Sequence, residues 1–162
     1  MYLIRKINRA KWFQIDIYND NDVSADAITN CLRTTKNTLS VWNIASEDDV
    51  DKAVLAIISS QDHIETIDVV ILNTEKIKEY EINIIASSGN TPIEEYKNLH
   101  RDLSELTFSK LGKIKDHIVE RIRNDKIKRY TKGQLKKMLL EAIKSGKLKL
   151  DDLNDSIQNK LL

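Results

Sequence analysis

The segment Thr66–Leu72, with the sequence TIDVVIL, constrains the fold of this chain more than any other. Its apolar run is nearly continuous and rich in β-branched residues, which favours a β-strand. A strand with one face in water would alternate apolar and polar residues, so this pattern predicts a strand that is covered on both faces. The segment therefore indicates a sheet inside a layered structure.

Helix and strand patterns alternate around this segment. Further strands are predicted at Tyr2–Ile7, Lys11–Ile17, Thr38–Ile44 and Tyr80–Ala86. Apolar residues at helical spacing predict two helices between the strands, since Asp20, Asn21, Asp22 and Ser24 are typical of a helix start and Ser46 opens a second helix with acidic residues behind it. The order β-β-α-β-α-β-β predicts an α/β domain with a mixed sheet over residues 1–90.

After residue 90 the pattern becomes helical. Thr91, Pro92 and Glu94 suit an N-cap, a first helical position and a capping box. Apolar spacing then predicts one long helix over residues 92–124, which would span about 50 Å and exceed what the sheet needs for cover. Two shorter helices are predicted at residues 132–145 and 149–161, so that residues 91–162 form a helical extension.

The two parts of the chain carry opposite charge. Residues 1–100 hold 10 Lys and Arg against 16 Asp and Glu, whereas residues 101–162 hold 16 against 9. This asymmetry indicates either a polyanionic partner or one part of the chain docking on the other.

The basic stretch is the first candidate site. Lys and Arg at this density can neutralise phosphates, and an aromatic ring among them can stack on a base. The same residues suit an acidic protein surface or a solvated helix face. The candidate residues are Lys113, Lys115, Arg121, Arg123, Lys126, Lys128, Arg129, Tyr130, Lys132, Lys136 and Lys137.

The turn Ser87-Ser88-Gly89-Asn90 is the second candidate, because it lies between a predicted strand and a predicted helix. Backbone N–H groups in such a turn can hold a phosphate or a carboxylate. It lacks the spacing of a P-loop, and an ordinary connection with small turn residues is the favoured interpretation.

Several other classes of site are disfavoured. One cysteine, Cys31, excludes an internal disulfide and a multi-cysteine metal centre. His63, His100 and His117 form no metal-binding pair, so we expect no metal and no cofactor. The sequence has no signal-peptide pattern and no apolar run of ~20 residues, so we expect a cytoplasmic protein without a membrane partner.

These observations favour a non-enzymatic protein-interaction module, such as a bacterial antitoxin, an immunity protein or a defence-system accessory subunit. Opposed charges, the predicted helical extension and the lack of a catalytic constellation motivate this hypothesis. A nucleic-acid-binding regulator that uses the basic helices over 110–149 is the alternative. A lesser alternative is an enzyme that binds a small molecule or nucleotide at the turn of residues 87–90.

Overall fold

The computed structural model describes residues 1–14 and 22–162. The strands are β1 Tyr2–Ile7, β2 Leu39–Ile44, β3 Ile67–Asn73, β4 Asn83–Ala86, β5 His100–Ser104 and β6 Ile127–Tyr130. The α-helices among these residues are α1 Arg9–Trp12, α2 Ala25–Cys31, α3 Val50–Ser59, α4 Thr74–Glu79, α5 Glu94–Lys97, α6 Phe108–Arg123, α7 Lys132–Lys144 and α8 Asp155–Leu161. Short 3₁₀ turns lie at Glu47–Asp49 and Leu150–Asp152.

The described strands form one sheet in the order β4-β5-β2-β1-β3-β6, and every neighbouring pair is antiparallel. The predicted mixed sheet is therefore wrong. The alternation of strand, helix and strand predicted a parallel pair, but β1 is inserted between β2 and β3 and runs against both. Strands β5 and β6 come from beyond residue 90, so the sheet draws on both sides of the predicted boundary. The division at that residue stays a prediction about folding units.

Helices cover both faces of the sheet, as the sequence of β3 predicted. Val69 and Ile71 pack into a core with α3, α5, α7 and α8, whereas Val70 and Leu72 pack into a second core with α1, α2, α4 and α6. We name these sides the α3 face and the α6 face. Alternate side chains of β3 lie in different cores. Each of them must therefore be apolar or, if charged, have an ionic partner.

The predicted helix starts at Ser46 and Thr131 are confirmed by their caps. The Ser46 side chain accepts from the N–H of Asp48, and the turn that follows leads directly into α3. Thr131 and Gln134 form a reciprocal capping box at the start of α7. Gly146 follows α7 with φ at +79°, a left-handed conformation that glycine adopts without strain.

The predicted long helix over residues 92–124 is wrong. Its place is taken by the four-residue helix α5, the strand β5 and the helix α6. Thr91 does not cap a helix, because the residue that precedes α5 is Ile93. The chain bends at Glu105, whose φ is +53°, and α6 then begins after its own N-cap, Thr107.

Other boundaries differ from the prediction as well. Residues 11 and 12 of the predicted strand Lys11–Ile17 lie in α1, and residues 15–17, together with Asp20 and Asn21 of the predicted helix start, lie outside the described residues. The predicted strand Tyr80–Ala86 begins only at Asn83, since Tyr80 ends α4.

Candidate functional site

The predicted basic residues do not form one surface. The basic residues of α6 belong to a helix that packs on the α6 face of the sheet, whereas those of α7 belong to a helix that packs on the α3 face. The basic residues of β6 lie between them, on an edge strand. The structure therefore distributes the predicted set around one edge of the sheet.

Two of these cations meet a carboxylate of the acidic part of the chain, Glu47. The Lys126 ammonium lies 2.8 Å from Glu47 Oε2, and Arg121 Nη2 lies 3.6 Å from Oε1. Arg121 Nε also donates to the Ile71 carbonyl at 2.5 Å. These contacts fasten the end of α6 and the start of β6 to the turn that precedes α3.

Asp51 on α3 contacts two more of the predicted site residues, Lys128 and Tyr130. It accepts a short hydrogen bond from the Tyr130 hydroxyl and lies 3.0 Å from the Lys128 ammonium. Burial alone would raise the pKa of Asp51, but these two hydrogen bonds outweigh it and lower that pKa. Burial, followed by the bond to Asp51, raises the pKa of Tyr130 far above its ordinary value. Since Tyr130 is only 3% exposed, its ring must leave the core before it can stack on a base.

Arg129 forms a two-point ion pair with the carboxylate of Asp68 on β3. Its Nε and Nη2 donate to the two carboxylate oxygens at 2.8 and 3.0 Å. Of the two outcomes that the charge asymmetry left open, the docking of one part of the chain on the other is thus present within the molecule.

The remaining predicted cations are less involved in such pairs. Lys115 lies 2.8 Å from its neighbour Asp116, Lys137 lies 3.9 Å from Glu141, and Lys113 lies near the Tyr80 ring. Arg123 and Lys132 are exposed, and Lys136 is half-buried.

The predicted turn of Ser87, Ser88, Gly89 and Asn90 uses part of its backbone internally. The N–H groups of Ser87 and Gly89 donate to the carbonyls of His100 and Lys97. A Cβ atom on Gly89 would lie 2.5 Å from Cη2 of Trp42 and 2.9 Å from Cβ of His100. Glycine is required here because the backbone passes directly against two aromatic side chains.

This close approach brings together a serine and a histidine that the sequence did not pair. Ser87 Oγ lies 2.8 Å from His100 Nδ1, and the His100 ring meets Trp42 edge-on at 5.1 Å. Burial lowers the pKa of His100, which keeps the ring neutral at physiological pH. Among the described residues no carboxylate bonds to its other nitrogen, so the third group that orients a catalytic base is missing.

Comparison with known proteins adds no name to this geometry. No family model, no curated protein and no solved structure matches the chain.

Residues 1–14 and 22–162 contain no group of three or more His, Cys, Asp or Glu side chains that could hold a metal ion. None of the helices formed by these residues is long and apolar enough to span a bilayer.

The edge strand β4 is a second feature that the sequence did not single out. It pairs with β5 alone, and no other described strand lies along its outer edge. The register places Ile85 opposite Asp102, and the Ser87 N–H bonds to β5. Because bonded and non-bonded residues alternate in an antiparallel pair, Ile84 and Ala86 direct their N–H and C=O groups outward.

The side chains along this edge are uncharged. Residues 82–93 form the longest stretch of the sequence without an Asp, Glu, Lys or Arg, and the Ile85 side chain is 51% exposed. Natural proteins usually protect edge strands with charges, prolines or bulges. An open, uncharged edge with an exposed isoleucine is suited to pairing with another chain.

A crevice beside β1 is the third feature. Strands β1 and β2 pair only from Tyr2 to Ile4, and beyond that point β1 continues with β3 alone. Arg5 fills the gap, because its Nη1 donates to the Ser40 carbonyl at 2.7 Å while Nε and Nη2 donate to the Cys31 carbonyl at 3.1 and 2.8 Å. The sequence carried a signal for this site: Arg5 occupies the same strand face as Leu3 and Ile7, which are buried.

Proposed function

We propose that this chain is a protein-interaction module that binds an extended segment of a partner protein along the outer edge of β4. The observation that carries this proposal is the main-chain edge at Ile84 and Ala86, which no described strand covers and which lies within an uncharged stretch. A partner strand would complete the hydrogen bonds of that edge, and pockets for its alternate side chains would set specificity.

The charges around β4 suggest the chemistry of the partner segment. Asp102 lies opposite Ile85, and the exposed residues Glu81 and Glu105 lie near the start of β4, where Glu105 accepts from the Asn83 amide at 2.5 Å. Complementary charge directs association and partner choice. We therefore propose a partner strand with apolar residues that face Ile85 and basic residues at its flanks.

This proposal retains the protein-interaction hypothesis and gives it a different basis. The helical extension that motivated the hypothesis is absent from the described fold, and many of the opposed charges pair internally. Antitoxin, immunity protein and defence-system subunit remain predictions about the biological setting, as does a role without catalysis.

The test is a pull-down from the source organism with three forms of the chain as bait. Ile85→Lys places a charge on the proposed surface, and Leu140→Lys is the matched control, because Leu140 is 46% exposed on α7. A specific partner should be retained by the wild-type and Leu140→Lys baits. Its affinity for Ile85→Lys should fall at least about tenfold, since an isoleucine side chain contributes about 1.5–3 kcal/mol when buried.

Hydrogen exchange on the purified complex then distinguishes strand addition from other modes of contact. The amides of Ile84 and Ala86 should exchange more slowly in the complex, because a partner strand would accept their hydrogen bonds. A partner that binds both variants equally, or leaves these two amides unprotected, contradicts the proposal. Association of the chain with itself through β4 would appear as a dimer in light scattering and would replace the partner protein by a second copy.

Nucleic-acid binding by α7 is a second candidate. It is favoured by the exposed lysines Lys132, Lys137 and Lys144 on a helix that contains a single acidic residue, Glu141. Binding to phosphates should weaken steeply as salt is raised, and Lys132→Glu together with Lys136→Glu should reduce both the affinity and the salt dependence. No binding of DNA or RNA at low ionic strength contradicts this candidate.

A further inference from the structure

The crevice between β1 and β2 contains a cation, Arg5, that has no matching carboxylate among residues 1–14 and 22–162. Arg5 donates three hydrogen bonds, all to backbone carbonyls, and forms no ion pair with a described acidic residue. A guanidinium has five N–H groups, so Nη1 and Nη2 each keep one for which the described residues offer no acceptor. Carbonyl dipoles offset a full positive charge only in part, which leaves the site electropositive.

Arg5 lines two depressions, and they differ in charge. The larger, of about 670 Å³, is lined by Glu65 and Asp68 as well as by cations. The smaller, of about 280 Å³, contains Arg5 and Lys6 but no Asp or Glu among the described residues of its lining. The carboxylates of the first would weaken the binding of an anion there, whereas the described lining of the second has none.

The smaller depression also offers groups that could hold the rest of a ligand. Ser60 and Asn90 provide neutral hydrogen-bonding side chains, while Trp42 and His100 form an aromatic wall. Its volume lies just below the usual range for small-molecule sites. A ligand of a few non-hydrogen atoms, with a charged group and an apolar part, matches these dimensions.

We propose that this depression binds a small ligand with a carboxylate or phosphate group, held by Arg5 and Lys6. Arg5 supplies its two remaining N–H groups in a planar arrangement that suits an oxyanion. The ammonium of Lys6 now lies 3.1 Å from Glu65, and it turns toward the ligand when the anion binds. The site shares Asn90 with the turn that the sequence singled out, but its charge comes from β1. It is independent of the protein-binding edge proposed above.

The experiment is a titration with inorganic phosphate and, separately, with benzoate, followed by two-dimensional NMR of the ¹⁵N-labelled chain. The indole N–H of Trp42 reports on the site, and that of Trp12, which is buried in the core of the α6 face, serves as an internal reference. We expect a saturable shift of the Trp42 signal at millimolar concentration for at least one probe. The probe that saturates assigns the ligand class.

Two variants connect the shift to the proposed residues. Lys6→Gln removes one cation, and Asn90→Asp adds an acid at an exposed position of the lining. Each should weaken binding at least about tenfold, because Lys6→Gln loses a hydrogen bond to a charged group and Asn90→Asp places a negative charge beside the anion. Lys76→Gln is the matched control, because Lys76 and Lys6 are similarly exposed, at 41% and 37%, and similarly paired; it should change the affinity less than about twofold.

The proposal is overturned if neither probe shifts the Trp42 signal more than that of Trp12. It is also overturned if Lys6→Gln and Lys76→Gln weaken binding alike, because that result would mean general attraction to a lysine-rich surface. Circular dichroism of each variant confirms that the fold is retained, and Asn90→Asp leaves β1 and its contacts unchanged.

Discussion

His117 on α6 is buried against the end of β3, where it connects two elements. Its side chain is 2% exposed, its Nε2 accepts from the Asn73 N–H at 3.0 Å, and its Nδ1 lies 3.0 Å from Glu120. Because Nε2 accepts, the neutral ring carries its proton on Nδ1 and donates it to Glu120. Protonation of Nε2 would place two donors against each other.

Two substitutions separate the hydrogen bond from the titration. His117→Leu is similar in size but leaves the Asn73 N–H without an acceptor, which costs about 1–3 kcal/mol. The lost contact with the exposed Glu120 adds a few tenths, so we expect a decrease of about 2 kcal/mol in the free energy of unfolding. His117→Gln supplies an amide oxygen to the same N–H and should cost about 1 kcal/mol or less.

Acidification should destabilise the wild type more than either variant. Burial lowers the pKa of His117, and Arg121 and Lys76 lower it further, while Glu120 acts in the opposite direction. The unfolded chain therefore binds a proton more readily than the folded chain. The neutral ring contributes its full stabilisation above the unfolded-state pKa of about 6.5, and this stabilisation is lost as the pH falls through the folded-state pKa. Each unit of difference between the two pKa values corresponds to about 1.4 kcal/mol of stability.

Urea denaturation followed by tryptophan fluorescence at about pH 7.5 and about pH 5.5 measures these differences. Burial also lowers the pKa of His100, so His100 contributes to the acid-dependent loss of stability in every variant. The decisive quantity is therefore the decrease in unfolding free energy between the two pH values in the wild type, minus the same decrease in His117→Gln. If the wild type loses no more than His117→Gln, or if His117→Leu is as stable as His117→Gln, the assignment of the hydrogen bond to Nε2 is refuted.

Three further substitutions test other contacts. Gly89→Ala should cost about 1–3 kcal/mol because its Cβ collides with Trp42; a melting temperature equal to that of the wild type would contradict this. Thr131→Ala removes the capping box of α7 and should cost about 1 kcal/mol in urea denaturation, whereas an unchanged midpoint would mean that the cap is not needed. Asp51→Asn should lower the pKa of Tyr130, because the carboxylate that helps to raise it is gone; phenolate absorbance on alkaline titration measures this, and an unmoved titration would refute it.

Elements with strong local signals could be predicted from the sequence. β3 was predicted by its apolar run and α7 by its capping box. β5 could not be, because its only buried apolar residue, Leu103, also fits helical spacing with Leu99 and Leu106. The pairing of β5 with β2 and β4 on its two sides makes it a strand, and such pairing involves residues far apart in sequence.

For the candidate sites as well, features set by neighbouring residues could be predicted, whereas contacts between distant residues could not. The density of lysine and arginine was visible in the sequence, but their acidic partners were not, since Lys126 and Glu47 are 79 residues apart. The segment Ser87–Asn90 directly follows a strand, as predicted, yet its contact with Trp42 and His100 depends on the packing of three strands. Arg5 had a local signal in its position on an otherwise apolar strand face, and this signal predicts a special role without naming it.

The order of the strands has a consequence for how the chain is made. β1, β2 and β3 are synthesised first and form the centre of the sheet, while the two strands that flank this centre, β5 and β6, follow later in the chain. A nascent chain that has been extended only to Ala86 therefore holds β4 with no strand to pair with, beside a three-stranded centre that is open on both sides. Its exposed edges remain available to other chains, or to a chaperone, until residue 130 has left the ribosome.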